Sequence, residues 1–140
     1  MMIGKENVMS TFKTVEEARE YFKGDRFATG AGMSLDELTQ ESSLCSVTLD
    51  ESHKNANGGI MGGVMFTLAD LAFAALANNI HMPTVAQQVN INYLSAPKGS
   101  RLFARAVCRK NGSRTVVINV DVTDDTGRDI AQFTGNGFKL

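Results

Sequence analysis

Upstream of Pro83 the longest apolar stretch has helical character, and downstream the hydrophobic positions recur at every second residue. From Val64 to Asn79 there is no Gly or Pro, and Leu, Met and Ala dominate. These side chains lose little freedom in a helix, so the stretch predicts one. The helix is apolar almost all round, which predicts burial against a sheet or another subunit. After Pro83, Thr84 to Leu94, Arg101 to Lys110, Arg114 to Thr123 and Arg128 to Phe138 are strand candidates. Val116, Ile118, Val120 and Val122 make the clearest alternating face. Asn111-Gly112 predicts a type I′ hairpin and Asp125-Thr126-Gly127 another short turn, so the last three strands form an antiparallel meander. Leu44 to Asp50 alternates as one earlier strand. Thr14 and Glu17 fit a capping box that opens a short amphipathic helix to about Lys23. Gly24 to Met33 reads as turn material, with Phe27 and Met33 packed as anchors. One strand, a long helix and four more strands predict an α+β fold, an antiparallel sheet wrapped around one central helix.

The chain has 140 residues, which suits a single domain over residues 1–140, with the first 13 read as a flexible N-terminus. That length is short for an enzyme acting alone, so an oligomer is expected. A formal charge of −1 gives no electrostatic footprint for nucleic acid or an anionic membrane. Cys45 and Cys108 lack metal-ligand spacing and read as small core residues in a reducing cytoplasm; no metal is expected. The N-terminus has no signal-peptide pattern. The apolar run from Val64 to Leu76 is interrupted by Thr67 and Asp70 and falls short of a membrane span.

The chemistry centres on residues 55–79. Between Lys54 and Lys98 the only Asp, Glu, Lys or Arg is Asp70. At roughly 100° per residue it shares a helix face with Phe66, Thr67, Phe73, Ala74 and Ala77. A buried, unpaired carboxylate is costly and has a raised pKa, which suits a general base or nucleophile in a cleft. The alternative is an acid that points into solvent or caps a loop. Gly58, Gly59, Gly62 and Gly63 precede it and allow close backbone approach, and amides at a helix start stabilise a developing oxyanion. Thr67 either hydrogen-bonds Asp70 or bonds back within its own helix. His53 and His81 read as solvated loop histidines, and Asp25 and Arg26 as a solvated pair beside a glycine.

Asn55, Gly58, Met61-Gly62-Gly63 and Thr67-Leu68-Ala69-Asp70 resemble the N-x-x-G-x-x-H-G-G-x-x-x-T-L-x-D signature of the PaaI-like thioesterases, in the hotdog-fold superfamily. Every position matches except the histidine, here Met61. The likeness extends to VNINYLSAP (Val89 to Pro97), to Gly99 and to AQFTGNGF near the C-terminus. The resemblance implies a hotdog fold and hydrolysis of an acyl- or aryl-acyl-CoA thioester. Coenzyme A would enter as part of the substrate, with no further cofactor. It also implies homodimers with side-by-side central helices, paired again into a dimer of dimers, and a site shared between subunits. In that reading Asp70 is the base or nucleophile, Gly62 N–H the oxyanion donor, and Asn55 holds the water or the thioester. Gly63, Met61, Thr67, Phe66 and Phe73 surround the acyl group, while Lys110, Ser113 and Arg114 meet the CoA phosphates. Met61 cannot supply the N–H or proton of a histidine. That departure keeps open a second reading, a protein that binds acyl-CoA without cleaving it. A hydratase of the same fold is less favoured, because no paired Asp and His is found on the active loop.

Overall fold

The computed structural model describes residues 10–140. Six strands, β1 (Ser34–Leu38), β2 (Ser42–Thr48), β3 (Thr84–Tyr93), β4 (Arg101–Asn111), β5 (Thr115–Asp124) and β6 (Asp129–Lys139), form one sheet. Their order is β1-β2-β4-β5-β6-β3, with every pair antiparallel. Helices α1 (Val15–Phe22) and α2 (Arg26–Gly30) precede β1, and the long α3 (Gly62–Ile80) packs across one face of the sheet.

Alternation decides which face of each strand meets α3. On β5, Val116, Ile118, Val120 and Val122 are buried, while Val117, Asn119, Asp121 and Thr123 take the other face. Leu68, Ala69, Ala72, Ala75 and Leu76 of α3 are fully covered in return. Burying each such leucine is worth about 1.5–3 kcal/mol. The Phe73 ring of α3 lies over two glycines of β6. A Cβ on Gly135 would stand 2.6 Å from two ring carbons, and one on Gly137 would stand 3.2 Å from a third. Phe133 flanks this contact, 6.2 Å from the Phe73 centroid and 5.5 Å from that of Phe66.

A second fixed point lies where the β5–β6 turn meets the loop before β4. The buried Asp124 carboxylate accepts hydrogen bonds from the backbone N–H of Lys98 (2.8 Å), Gly99 (3.0 Å), Thr126 (3.0 Å) and Arg128 (3.1 Å), and from the Thr126 hydroxyl. The hydrogen bond from Thr126, with those from the amides, holds this acid well below the usual carboxylate range.

The central helix and the last four strands lie within about two residues of their predicted ends, and several other expectations change. A first strand, β1, was not anticipated; its residues are mostly polar, only Leu35 is buried, and an irregularity between Leu35 and Glu37 breaks the alternation. The segment from Gly24 to Met33 contains a helix, α2, capped by Asp25 Oδ1 accepting from Ala28 N at 3.1 Å. Phe27 on that helix is 78% exposed rather than packed, whereas Met33 is buried as expected. The β4–β5 hairpin is not type I′: among the described residues only Gly32, Gly58 and Gly127 have positive φ. Gly112 N instead donates to Thr115 O at 2.8 Å, and Lys139 Nζ donates to Gly112 O at 2.6 Å.

Of the residues expected to form a flexible N-terminus, 1–9 lie outside the described residues. Thr11 N donates to Asn79 O at 2.9 Å, Phe12 N donates to Asn79 Oδ1 at 3.1 Å, and Phe12 is buried, so this part is fixed to the end of α3. At 19 residues α3 is longer than the apolar run suggested, and by length and composition it is apolar enough to cross a membrane. A core helix passes the same test, and the sheet covers its apolar faces.

Candidate active site

The glycine-rich segment is a turn that closes on itself. Lys54 and Ile60 form an isolated β-bridge, Asn55 N donates to Gly59 O at 2.8 Å, and Gly58 turns the chain at φ 84°. The Asn55 side-chain oxygen accepts from Asn57 N (2.9 Å) and Gly59 N (3.2 Å), so it is engaged in holding the turn. His53 is buried at 4% exposure, contrary to the expectation of a solvated histidine. Its Nδ1 accepts from Asp50 N at 3.0 Å, which leaves Nε2 to donate to Ala31 O at 2.7 Å. The ring thus ties the turn to the end of α2. His81 Nε2 meets Leu140 O at 2.9 Å, at the other end of α3.

The turn delivers the chain into α3 at Gly62. Met61 is the N-cap; it makes no side-chain capping bond and is 56% exposed. The amides of Gly62 and Gly63 have no acceptor among the described residues, while Val64 N is satisfied by Met61 O at 3.0 Å. Two unpaired N–H groups therefore stand where the helix dipole is positive. Tyr93, at the end of β3, was not anticipated at this place: its hydroxyl donates to Gly62 O at 3.2 Å and its ring lies against Gly62.

Asp70 lies on the less covered stripe of α3, with Thr67, Ala74 and Asn78. Its carboxylate has no hydrogen-bond or ion-pair partner among the described residues, and the Thr67 hydroxyl neither bonds it nor bonds back along the helix. Burial raises the pKa of Asp70, and the negative charge of Asp25 raises it further. Eight residues separate Asp70 from Gly62 on one helix, about 12 Å at 1.5 Å per residue. A carbonyl carbon served by both an oxyanion donor and an attacking group has to lie within about 3 Å of each, and these two groups of one chain stand farther apart than that.

A cleft of about 540 Å³ opens beside the helix start, lined by Met61, Gly63, Val64 and Thr67 together with Phe27 and Met33. Arg26 and His53 also border it. Phe66 and Phe73 do not. Phe73 is 2% exposed and packed on β6, and Phe66 meets Phe133 edge to face, so both serve the core and the aromatic wall of the cleft is Phe27. A larger cavity, about 600 Å³, lies at the other end of α3 beside Phe12, Leu38 and Asn79, far from the unpaired amides and the lone acid. The hairpin bearing Lys110, Ser113 and Arg114 is also at that far end. Arg114 O accepts from Lys139 N at 2.8 Å, and the neighbouring Leu140 N donates to Pro83 O at 2.9 Å, just past the end of α3. Within one chain these residues are not brought to Gly62. Lys54, held by Glu51 at 2.7 Å, is a cation beside the turn that the sequence did not single out. Among the described residues no three His, Cys, Asp or Glu side chains gather as a metal site.

The thioesterase superfamily model matches residues 57–131, which run from the glycine turn through α3 to β6. Over 129 residues the chain is 25% identical to the acyl-coenzyme A thioesterase PaaI of Escherichia coli, covering 91% of this chain and 92% of that protein. It is 34% identical over 93 residues to human acyl-coenzyme A thioesterase 13, covering 64% of this chain and 66% of that one. A solved structure of a hypothetical thioesterase with coenzyme A from Streptococcus pneumoniae superposes with a TM-score of 0.78 at 27% identity, over 85% of this chain and 96% of the other.

Proposed function

The chain belongs to the thioesterase superfamily, and on that premise we propose that it hydrolyses an acyl- or aryl-acyl-CoA thioester to the free acid and CoA. The observation that carries the reading is Asp70: a half-buried carboxylate without a partner, pushed towards its neutral form, on the one stripe of α3 that the sheet leaves open. A structural acid would be paired. A general base works best with a pKa drawn towards neutrality.

In this mechanism the acyl carbonyl oxygen accepts from Gly62 N–H, with Gly63 N–H as a second donor. Asp70 takes a proton from water as the water oxygen attacks the carbonyl carbon. Collapse of the tetrahedral intermediate breaks the C–S bond, and the CoA sulfur leaves with a proton. Direct attack by Asp70, giving a mixed anhydride that water then opens, uses the same geometry. Loss of one oxyanion donor commonly costs about 3 kcal/mol in the transition state. Asn55 would steady the water or the thioester through its side-chain N–H, since its oxygen is committed to the turn. Phe27, Met33, Met61 and Val64 offer an apolar or aromatic acyl group its cavity, next to Thr67.

The roughly 12 Å between Gly62 and Asp70 on one helix is the reason to propose a homodimer. Two copies of α3 side by side and antiparallel would bring Asp70 of one chain opposite the Gly62 and Gly63 amides of the other. They would also bring one chain's Lys110, Ser113 and Arg114 nearer the other's cleft, where CoA phosphates need cations. β3 is an unpaired sheet edge ten residues long, ready to extend the sheet across the same axis. A further pairing of dimers, in the cytoplasm and with no resident cofactor, completes the proposal.

The exposed, uncapped Met61 favours one second reading, an acyl-CoA-binding protein without turnover. Thiol release from a panel of acyl-CoAs separates the two, run with Asp70→Ala and Met61→His. Hydrolysis that vanishes in Asp70→Ala supports the first reading, and activity that survives removes its mechanism. Tight binding with no thiol release from any substrate supports the second.

A further inference from the structure

Helix starts fray because their first amides have no partner, and glycine has the most backbone freedom to lose. At α3 both problems coincide: the helix opens on Gly62-Gly63, and its N-cap makes no side-chain bond. Amides that bind an oxyanion nonetheless have to be aimed in advance. The geometry points to Tyr93 as a positioning residue for the Gly63 amide, its hydroxyl and ring holding the first turn of α3 from the sheet side in place of the missing cap. This rests on the thioesterase reading above.

Three observations carry it. The Tyr93 hydroxyl donates to Gly62 O at 3.2 Å. The Gly62 carbonyl and the Gly63 N–H are opposite ends of one planar peptide. Fixing the oxygen towards β3 therefore turns the N–H the other way, and Gly63 lines the cleft. Next, the ring lies against Gly62, where a Cβ would stand 3.2–3.3 Å from three of the tyrosine's outer atoms, so the hydroxyl is backed by a ring contact on the same residue. Finally, Tyr93 is the last residue of β3 and pairs in register with Ala131 of β6, so its base is anchored in the sheet. Among the described residues, no other side chain hydrogen-bonds the backbone of Met61, Gly62 or Gly63.

Tyr93→Phe keeps the ring and removes the hydroxyl. Backbone amide relaxation by NMR reads the geometry without turnover: the Gly63 order parameter is expected to fall from about 0.85 towards 0.6. Kinetics read the consequence: kcat falls roughly tenfold while KM stays within about twofold, because an amide mis-aimed at the oxyanion weakens the transition state more than the bound substrate. Melting stays at the wild-type temperature, and Tyr93→Ala moves both readouts further. An unchanged Gly63 order parameter overturns the assignment, as does an unchanged kcat or a change confined to KM. If the wild-type protein released no thiol, the hydrolase reading would fail, and the order parameter would still decide whether Tyr93 fixes the turn.

Discussion

Replacing Gly135 by alanine tests the contact between Phe73 of α3 and the sheet. The new Cβ would stand 2.6 Å from Cδ1 and Cε1 of Phe73 and 3.2 Å from Cε1 of Phe133, and ordinary contact begins near 3.4 Å. The Phe73 ring would have to retreat by about 0.8 Å, the difference between those distances. It has little room to do so, because it is 2% exposed and also abuts Gly137. Overpacking of this kind costs about 1–3 kcal/mol. At roughly 3 °C per kcal/mol for a domain of this size, the melting temperature should fall by about 3–9 °C. Phe73→Leu in the Gly135→Ala background removes the collided edge, so the double variant should be more stable than the two single effects added, by on the order of 1–2 kcal/mol. Asp70 is three residues before Phe73 on the same helix, so a displaced helix should also lower kcat in protein that remains folded. Denaturation and thiol-release assays on the four proteins of the cycle measure both effects. A Gly135→Ala protein that melts with the wild type, or strictly additive variants, would refute the packing argument.

Asp70→Asn should abolish hydrolysis yet raise the melting temperature at neutral pH. Burial raises the native pKa of Asp70, so ionisation penalises the fold above that raised value. The stability gain of the variant should shrink as pH falls through it and be gone below about 3.8, as melting curves across pH would reveal. Asp124 has the opposite sign. Its native pKa is depressed, so the stability it supplies is present above the ordinary carboxylate value and lost as pH falls through the native one; Asp124→Asn should flatten the acid limb of the stability profile. Of the two thiols, burial pushes that of Cys45 far up and leaves it fully covered, whereas Cys108 is half-buried. A thiol reagent should label Cys108 slowly in the native protein and Cys45 only after denaturation, with mass spectrometry of the peptides deciding.

The parts of the fold legible in the sequence are those where a single period dominates. Val116 to Val122 could only be a half-buried strand, and Val64 to Asn79 had no breaker and only a narrow polar stripe at Thr67, Asp70 and Asn78. β1 escaped notice because Asp36 and Glu37 interrupt its alternation where the pairing register also slips. α2 escaped because glycines bracket a five-residue helix that rests on Asp25 as its cap. In the candidate site, the lone carboxylate and the paired glycines were visible as residue types in a fixed spacing. Tertiary partners were not. Phe66 and Phe73 share a helix face with Asp70, but the glycines of β6 draw Phe73 into the core, and nothing local to the helix announces them. His53 lies in a polar stretch, and its burial depends on a carbonyl 22 residues away. Tyr93 reaches Gly62 from 31 residues downstream.

The anchoring of the loop before β4 bears on how relatives of this chain can diverge. Four of the five donors that converge on Asp124 are main-chain amides, which persist when most side chains change. Lys98 can therefore drift to other residue types across a lineage while the loop keeps its path, whereas a Cβ on Gly99 would stand 1.7 Å from the exposed Asp125 carboxylate and turn it off its bonds to Ser100 and Arg101. Mutation can thus rewrite the chemistry of this rim without first inventing a new backbone to display it.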